Sequence, residues 1–180
     1  GLANRRWLDA QWAHECERAR RYKHALAVAM VDIDHFKSIN DRFSHRVGDE
    51  VLRRVGKLLR DSCRRGDVVG RYGGEEFALL LINADHRVAS NIGERLRARV
   101  AAERFPQTHE LPGGMLTISV GVASCPTDGT SAASLLQAAD AALFRAKQGG
   151  RNRVCIAGEP PLFGEPKAVR LQTARVSKRG

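Results

Sequence analysis

Asp32 and Asp34 close the apolar run Ala25 to Ile33, and Glu75 and Glu76 follow the glycine pair Gly73-Gly74. If the run is a strand, alternation puts Asp32 and Asp34 on one side of it. Two carboxylates at a buried strand end are costly to desolvate unless a cation meets them. Mg2+ prefers hard oxygen ligands and is the usual ion of phosphate chemistry. Should the Gly-Gly segment lie beside Asp32, three or four carboxylates converge, as two-metal phosphoryl transfer requires. A solvated strand end and a polar turn would leave the same residues, and spacing alone does not decide.

Cations stand at intervals that suit a phosphate. Lys37 follows the first acid pair, Lys147 ends a helical pattern, and Arg151 follows the Gly149-Gly150 stop. Each could equally complement a helix C-terminus. Arg64-Arg65-Gly66-Asp67 precedes the glycine pair and offers a guanidinium fork suited to phosphate or a guanine edge, or it is a charged helix-to-strand turn.

The elements that must position these groups follow from hydrophobic period. Leu8, Trp12, Cys16 and Ala19 mark an amphipathic helix over 5–22, and Ala25 to Ile33 reads as a buried strand. Phe36 to Arg42 is a short helical turn, and Gly48 to Cys63 a second long helix carrying Val51, Leu52, Val55, Leu58 and Leu59. Val68-Val69 and Phe77 to Ile82 flank Gly73-Gly74 as a β-hairpin, whose turn needs glycines at positive φ. A helix over 85–102, an alternating strand from Met115 to Ala123, a helix over 131–148 and a short strand at Arg153 to Ile156 complete the pattern. From Gly158 the periodicity ends. Three of the six prolines fall there, with five Lys or Arg against two Glu, as in a flexible basic tail at 158–180. The fold expected for 1–157 is α/β: helices flanking a mixed, largely antiparallel sheet.

The 180 residues suit one domain, with 43% hydrophobic residues for a core and 28% charged. No apolar run is long enough to cross a bilayer, and the start GLANRRWLDA lacks the apolar core of a signal peptide. Cys16, Cys63, Cys125 and Cys155 form no CxxC pair and read as reduced, mostly buried residues of a cytoplasmic protein. The net charge of +10 points to phosphate-bearing partners. Aromatics are 6%, too sparse for a single-strand stacking platform, so nucleic acid is disfavoured.

Together these segments resemble the GGDEF family of diguanylate cyclases. The signature loop stands here as RYGGEEF at 71–77, with Glu in its third position. DIDHFK at 32–37, IND at 39–41, GDE at 48–50, GLANRR at 1–6, SVGVA at 119–123 and ADAALFRAKQGGRN at 139–152 match further motifs in order. The resemblance implies a fold related to polymerase palms and nucleotide cyclases. It implies condensation of two GTP to cyclic di-GMP with release of two pyrophosphates across a homodimer, with Mg2+ or Mn2+. A catalytically weak domain that binds GTP or cyclic di-GMP as a regulator is the alternative.

By the same resemblance Asp32, the Ile33 carbonyl, Glu75 and Glu76 hold metal. Glu75 activates the 3′-hydroxyl and Lys37 stabilises developing phosphate charge. Asn40 and Asp49 read the guanine edge beside His45. Lys147 and Arg151 hold the triphosphate, and Phe36, Gly73 and Gly74 border the nucleotide. Arg64 and Asp67 match the family's RxxD inhibitory site, with Arg95 as its second arginine. Ser44 stands in place of the usual glycine before His45, and Phe144 in place of a common tyrosine. The chain begins just inside the family's opening motif. An acid that can pair with Arg71 is therefore absent, and an upstream sensory domain is expected to precede it. No membrane contact is expected of this segment.

Overall fold

The computed structural model describes residues 2–105 and 114–159. The expected tail from 160 onward lies outside the described residues. Strands and helices are β1 (Ala3–Asn4), α1 (Arg5–Tyr22), β2 (Leu26–Ile33), α2 (Phe36–Phe43), α3 (His45–Ser62), β3 (Val68–Arg71), β4 (Glu76–Ile82), α4 (His86–Ala102), β5 (Ile118–Cys125), α5 (Ala132–Gln148) and β6 (Val154–Ile156). They form one six-stranded sheet in the order β1-β3-β4-β2-β5-β6. β2 pairs antiparallel with both β4 and β5, and β3 with β4; the outer pairs β1–β3 and β5–β6 are parallel.

Every residue of β2 and of β5 is buried, because helices cover both faces. Odd positions of β2 (Ala27, Ala29, Val31, Ile33) pack with α2, α3 and α4 in one apolar cluster. Even positions (Leu26, Val28, Met30) join Leu8, Trp12 and Cys16 of α1 and Leu135, Ala139 and Leu143 of α5 in the other. Asp32 continues the even series, so its side chain faces the α1/α5 layer where β2 runs out.

Four expectations need correction. The strand expected from Met115 starts at Ile118, because its partner β2 ends at Ile33, opposite Ile118. α2 is a true eight-residue helix rather than a turn, and α3 begins at His45 rather than Gly48. Neither Gly73 nor Gly74 has a positive φ. The β3–β4 connection spans residues 72–75, and the Arg71 guanidinium donates to the carbonyls of Gly73 and Gly74, so no two-residue turn is needed. The short β1, pairing Ala3 with Gly70 and Asn4 with Arg71, carried no pattern in the sequence. All four cysteines are free; Cys16 and Cys125 are buried, Cys63 and Cys155 half-buried.

Candidate active site

The antiparallel register of β2 and β4 sets Asp32 directly opposite Glu76. The Ile33 amide donates to the Glu75 carbonyl at 3.3 Å, so the hairpin connection lies against the end of β2. The adjacency that was conditional in the sequence is therefore built by strand pairing for the backbone of Asp32, Glu75 and Glu76, but not for Asp34. Burial pushes the Asp32 carboxyl above the usual carboxylate range; the Lys147 ammonium opposes this, while Glu76 and Asp34 add to it. Glu75 is raised too, first by burial and then by Asp32. Lys147, near the end of α5, places Nζ 2.7 Å from Asp32 Oδ2.

Asp34 does something other than its sequence suggests. Its carboxylate accepts from Thr117 Oγ1 and Ser119 Oγ, both at 2.7 Å, and from the Asn152 amide at 3.0 Å. This side chain is a joint between β2, β5 and the segment after α5. Arg151 and Asn152 both sit in the left-handed region (φ 63 and 46), sparsely populated for residues with a Cβ. Asp34 on the Asn152 amide, Arg97 Nη1 on Asn152 Oδ1 (2.9 Å) and Arg153 Nε on the Arg151 carbonyl (3.0 Å) hold that bend. Arg97 and Arg153 could not be found from sequence, because nothing in a helical or loop pattern says which distant backbone a guanidinium will reach.

Lys37, His45 and Arg151 are exposed, and their side chains make no hydrogen bond or ion pair among the described residues. Lys37 lies in the first turn of α2, whose N-terminus has no side-chain cap. Phe36 is buried, its ring packed in the apolar cluster that contains Ile39 and Leu52. A Cβ at Gly48 would lie 2.0 Å from Asn40 Oδ1 and 3.1 Å from the Phe36 ring. Glycine there lets α3 press against α2 and places Asn40 beside the turn carrying Asp49. Asp49, Gly73 and Phe77 line one cleft of about 1550 Å3, which continues along α3 past Arg53 and Arg60 to Asp67. At Gly73 a Cβ would stand 2.7 Å from Glu76 Oε2, whereas Gly74 faces open space.

Asp67 is buried; Oδ2 accepts from the Arg64 amide at 2.9 Å and Oδ1 from the Ile82 amide at 3.2 Å. Arg64 is exposed, and Arg95 Nη2 donates to the Ser62 carbonyl at 2.8 Å. The turn is thus fixed, with Arg64 projecting from it.

These carboxylates, the glycine connection and the sheet order define a class, and comparison with known proteins agrees. Residues 1–153 match the model of the diguanylate cyclase GGDEF domain. The chain belongs to this family. It is 41% identical over 134 residues to diguanylate cyclase A of Treponema denticola, covering 74% of this chain and 36% of that protein. It is 38% identical over 154 residues to the response regulator PleD of Caulobacter vibrioides, covering 86% and 34%. The chain thus spans about a third of the length of these relatives. Among solved structures it resembles the active GGEEF domain of a diguanylate cyclase from Vibrio cholerae (36% identity, TM-score 0.82, 89% of this chain and 100% of that one). It also resembles the GGDEF domain of DgcB from Caulobacter crescentus in complex with c-di-GMP (34% identity, TM-score 0.81, 88% and 92%).

Proposed function

We propose that this domain condenses two GTP into cyclic di-GMP and two pyrophosphates, one GTP held on each of two facing copies. The observation that carries this is the pairing of Asp32 with Glu76, with Glu75 against the end of β2 and Lys147 on the Asp32 carboxylate.

Among the described residues no three His, Cys, Asp or Glu side chains are already gathered as a metal site. The donor chemistry nevertheless fits a hard divalent cation. Asp32 and Glu75 are both raised by burial and by neighbouring carboxylates, and among the described residues the counter-charge beside them is the Lys147 ammonium. Asp32, the Ile33 carbonyl, Glu75 and Glu76 would hold Mg2+ or Mn2+, which would supply charge neutralisation at the phosphates. Lys147 then exchanges its bond to Asp32 for the triphosphate, joined by Arg151 from its fixed bend. Lys37 and the uncapped amides of α2 receive charge developing on the phosphates. Asp49 accepts from the paired N1 and N2 donors of guanine, which adenine lacks, and the Asn40 side-chain amide, which can donate and accept, meets the guanine edge beside it. Glu75 takes the proton of the attacking 3′-hydroxyl. Arg64, Asp67 and Arg95 form the site at which product restrains the rate, and Arg64→Ala should relieve that restraint.

The test is to incubate the protein with Mg2+ and either GTP or ATP and to identify products by chromatography. Cyclic di-GMP from GTP and no cyclic dinucleotide from ATP is expected, with Asp49→Ala losing most turnover. Tight cyclic di-GMP binding with no product at any protein concentration would replace this reading with that of a regulatory receptor.

A further inference from the structure

The opposite end of β2 carries a second cavity, of about 810 Å3, within the usual size of small-molecule sites. Leu26 pairs there with Ile82 and Cys125, six residues and about 20 Å along the strand from Asp32. Its walls are the end of α1, the start of α4 and the loop after β5. Ala19, Ala25 and Pro126 give it an apolar floor, and Thr127 and Thr130 supply hydroxyls.

The charge balance of this cavity is one-sided. Arg20, Lys23 and Arg87 line it, all exposed and without a hydrogen bond or ion pair among the described residues. The nearby acids are both engaged. Asp85 caps α4 through the Val88 amide at 2.8 Å, so the helix end is already served by protein. Asp128 meets His86 Nε2 and accepts from the Ser124 amide at 2.7 Å. Three cations, Arg20 on α1, Lys23 just beyond it and Arg87 on α4, therefore line one concavity against the single carboxylate of Asp85, beside His24, whose Nδ1 contacts the Ala25 carbonyl. Like charge disfavours the chain's own C-terminal segment as occupant: a Cβ on Gly158 would lie 3.7 Å from Asp128 Oδ1, but residues 158–180 carry five Lys or Arg against two Glu.

We propose that this cavity binds a small phosphate-bearing anion with at least two negative charges, either a free polyphosphate or the diphosphate of a nucleotide. The guanidinium forks of Arg20 and Arg87 and the Lys23 ammonium take the phosphates, the threonine hydroxyls donate to them, and the apolar floor takes an attached ring. The site is separate from the carboxylate cluster and does not depend on turnover there.

The test follows backbone amides of the full 180-residue chain by NMR during titration with inorganic pyrophosphate and, separately, adenosine diphosphate, without divalent metal. Saturable shifts at Lys23, Ala25, Arg87 and Thr127 are expected. In Arg20→Ser/Lys23→Ser/Arg87→Ser these should weaken roughly tenfold or more, while shifts near Lys147 persist. Saturation with both probes identifies a polyphosphate site, and with adenosine diphosphate alone a nucleotide site. The proposal is overturned by shifts equal in the variant, by shifts that sodium chloride at matched ionic strength reproduces, or by none up to about 10 mM. It is overturned equally if an oligoglutamate peptide saturates the site and neither phosphate does.

Discussion

Ser44 adopts φ 130 and ψ 160 between α2 and α3 and caps neither helix with its side chain. Backbone in that region is natural for glycine and strained for any residue with a Cβ. Ser44→Gly should therefore raise stability by about 1 kcal/mol, read as a higher urea midpoint at unchanged slope; a lower midpoint would refute the strain. The sequence showed that a glycine was missing here, but only the dihedral shows the consequence. Asp34 makes the converse point. Its type and spacing matched Asp32, yet the donors around it (Thr117, Ser119 and Asn152) make it a structural joint. Asp34→Ala should cost about 2–4 kcal/mol in denaturant unfolding, because it orphans three donors in a largely buried place. The thiols offer a pH test. Burial pushes both Cys16 and Cys63 from 9.0 up to about 11. A raised acid favours the fold while protonated, so this contribution is full below pH 9 and is lost as pH rises through about 11. Folded protein at pH 8 should accordingly alkylate much more slowly than urea-unfolded protein, and equal rates would contradict the burial.

The elements were legible where their periods were long. All the helices and strands expected between 5 and 156 exist, because each helix buries one stripe, the central strands bury both faces, and the residue pattern shows that burial. What pattern cannot show is which element lies against which. Gly121 is an example: within SVGVA it reads as a weak strand position, but a Cβ there would stand 2.2 Å from both the Ala139 carbonyl oxygen and the Leu143 amide nitrogen. It allows α5 to lie directly on β5, and α5 carries Lys147 to Asp32. Gly121→Ala should lift α5 from the sheet and lower stability by about 3 kcal/mol, measured by thermal or urea unfolding. A neutral effect would mean that the two elements can separate freely. β1 was invisible for the opposite reason: two residues are too few for any period, and only pairing to Gly70 and Arg71 makes them a strand.

At the scale of the molecule, the sheet order brings residues from four parts of the chain, around 32, 75, 147 and 151, to one end. Residue type and spacing supplied the candidate residues and the resemblance their roles, whereas the adjacency of Asp32 and Glu76 required the β2–β4 register. Buried negative charge there should answer to a divalent cation. Mg2+ should raise the melting temperature of the wild type through preferential binding to the fold, and Asp32→Asn should abolish that response. An undiminished response would place the ion elsewhere. The proposal that two copies share one reaction gives the most direct test of the whole account: the initial rate of cyclic di-GMP formation against protein concentration, for the wild type and for Glu75→Ala. The account predicts a rate rising with the square of protein concentration where dimers are scarce, and no product from Glu75→Ala. A rate strictly proportional to protein at the lowest concentrations, or turnover that survives Glu75→Ala, would contradict it.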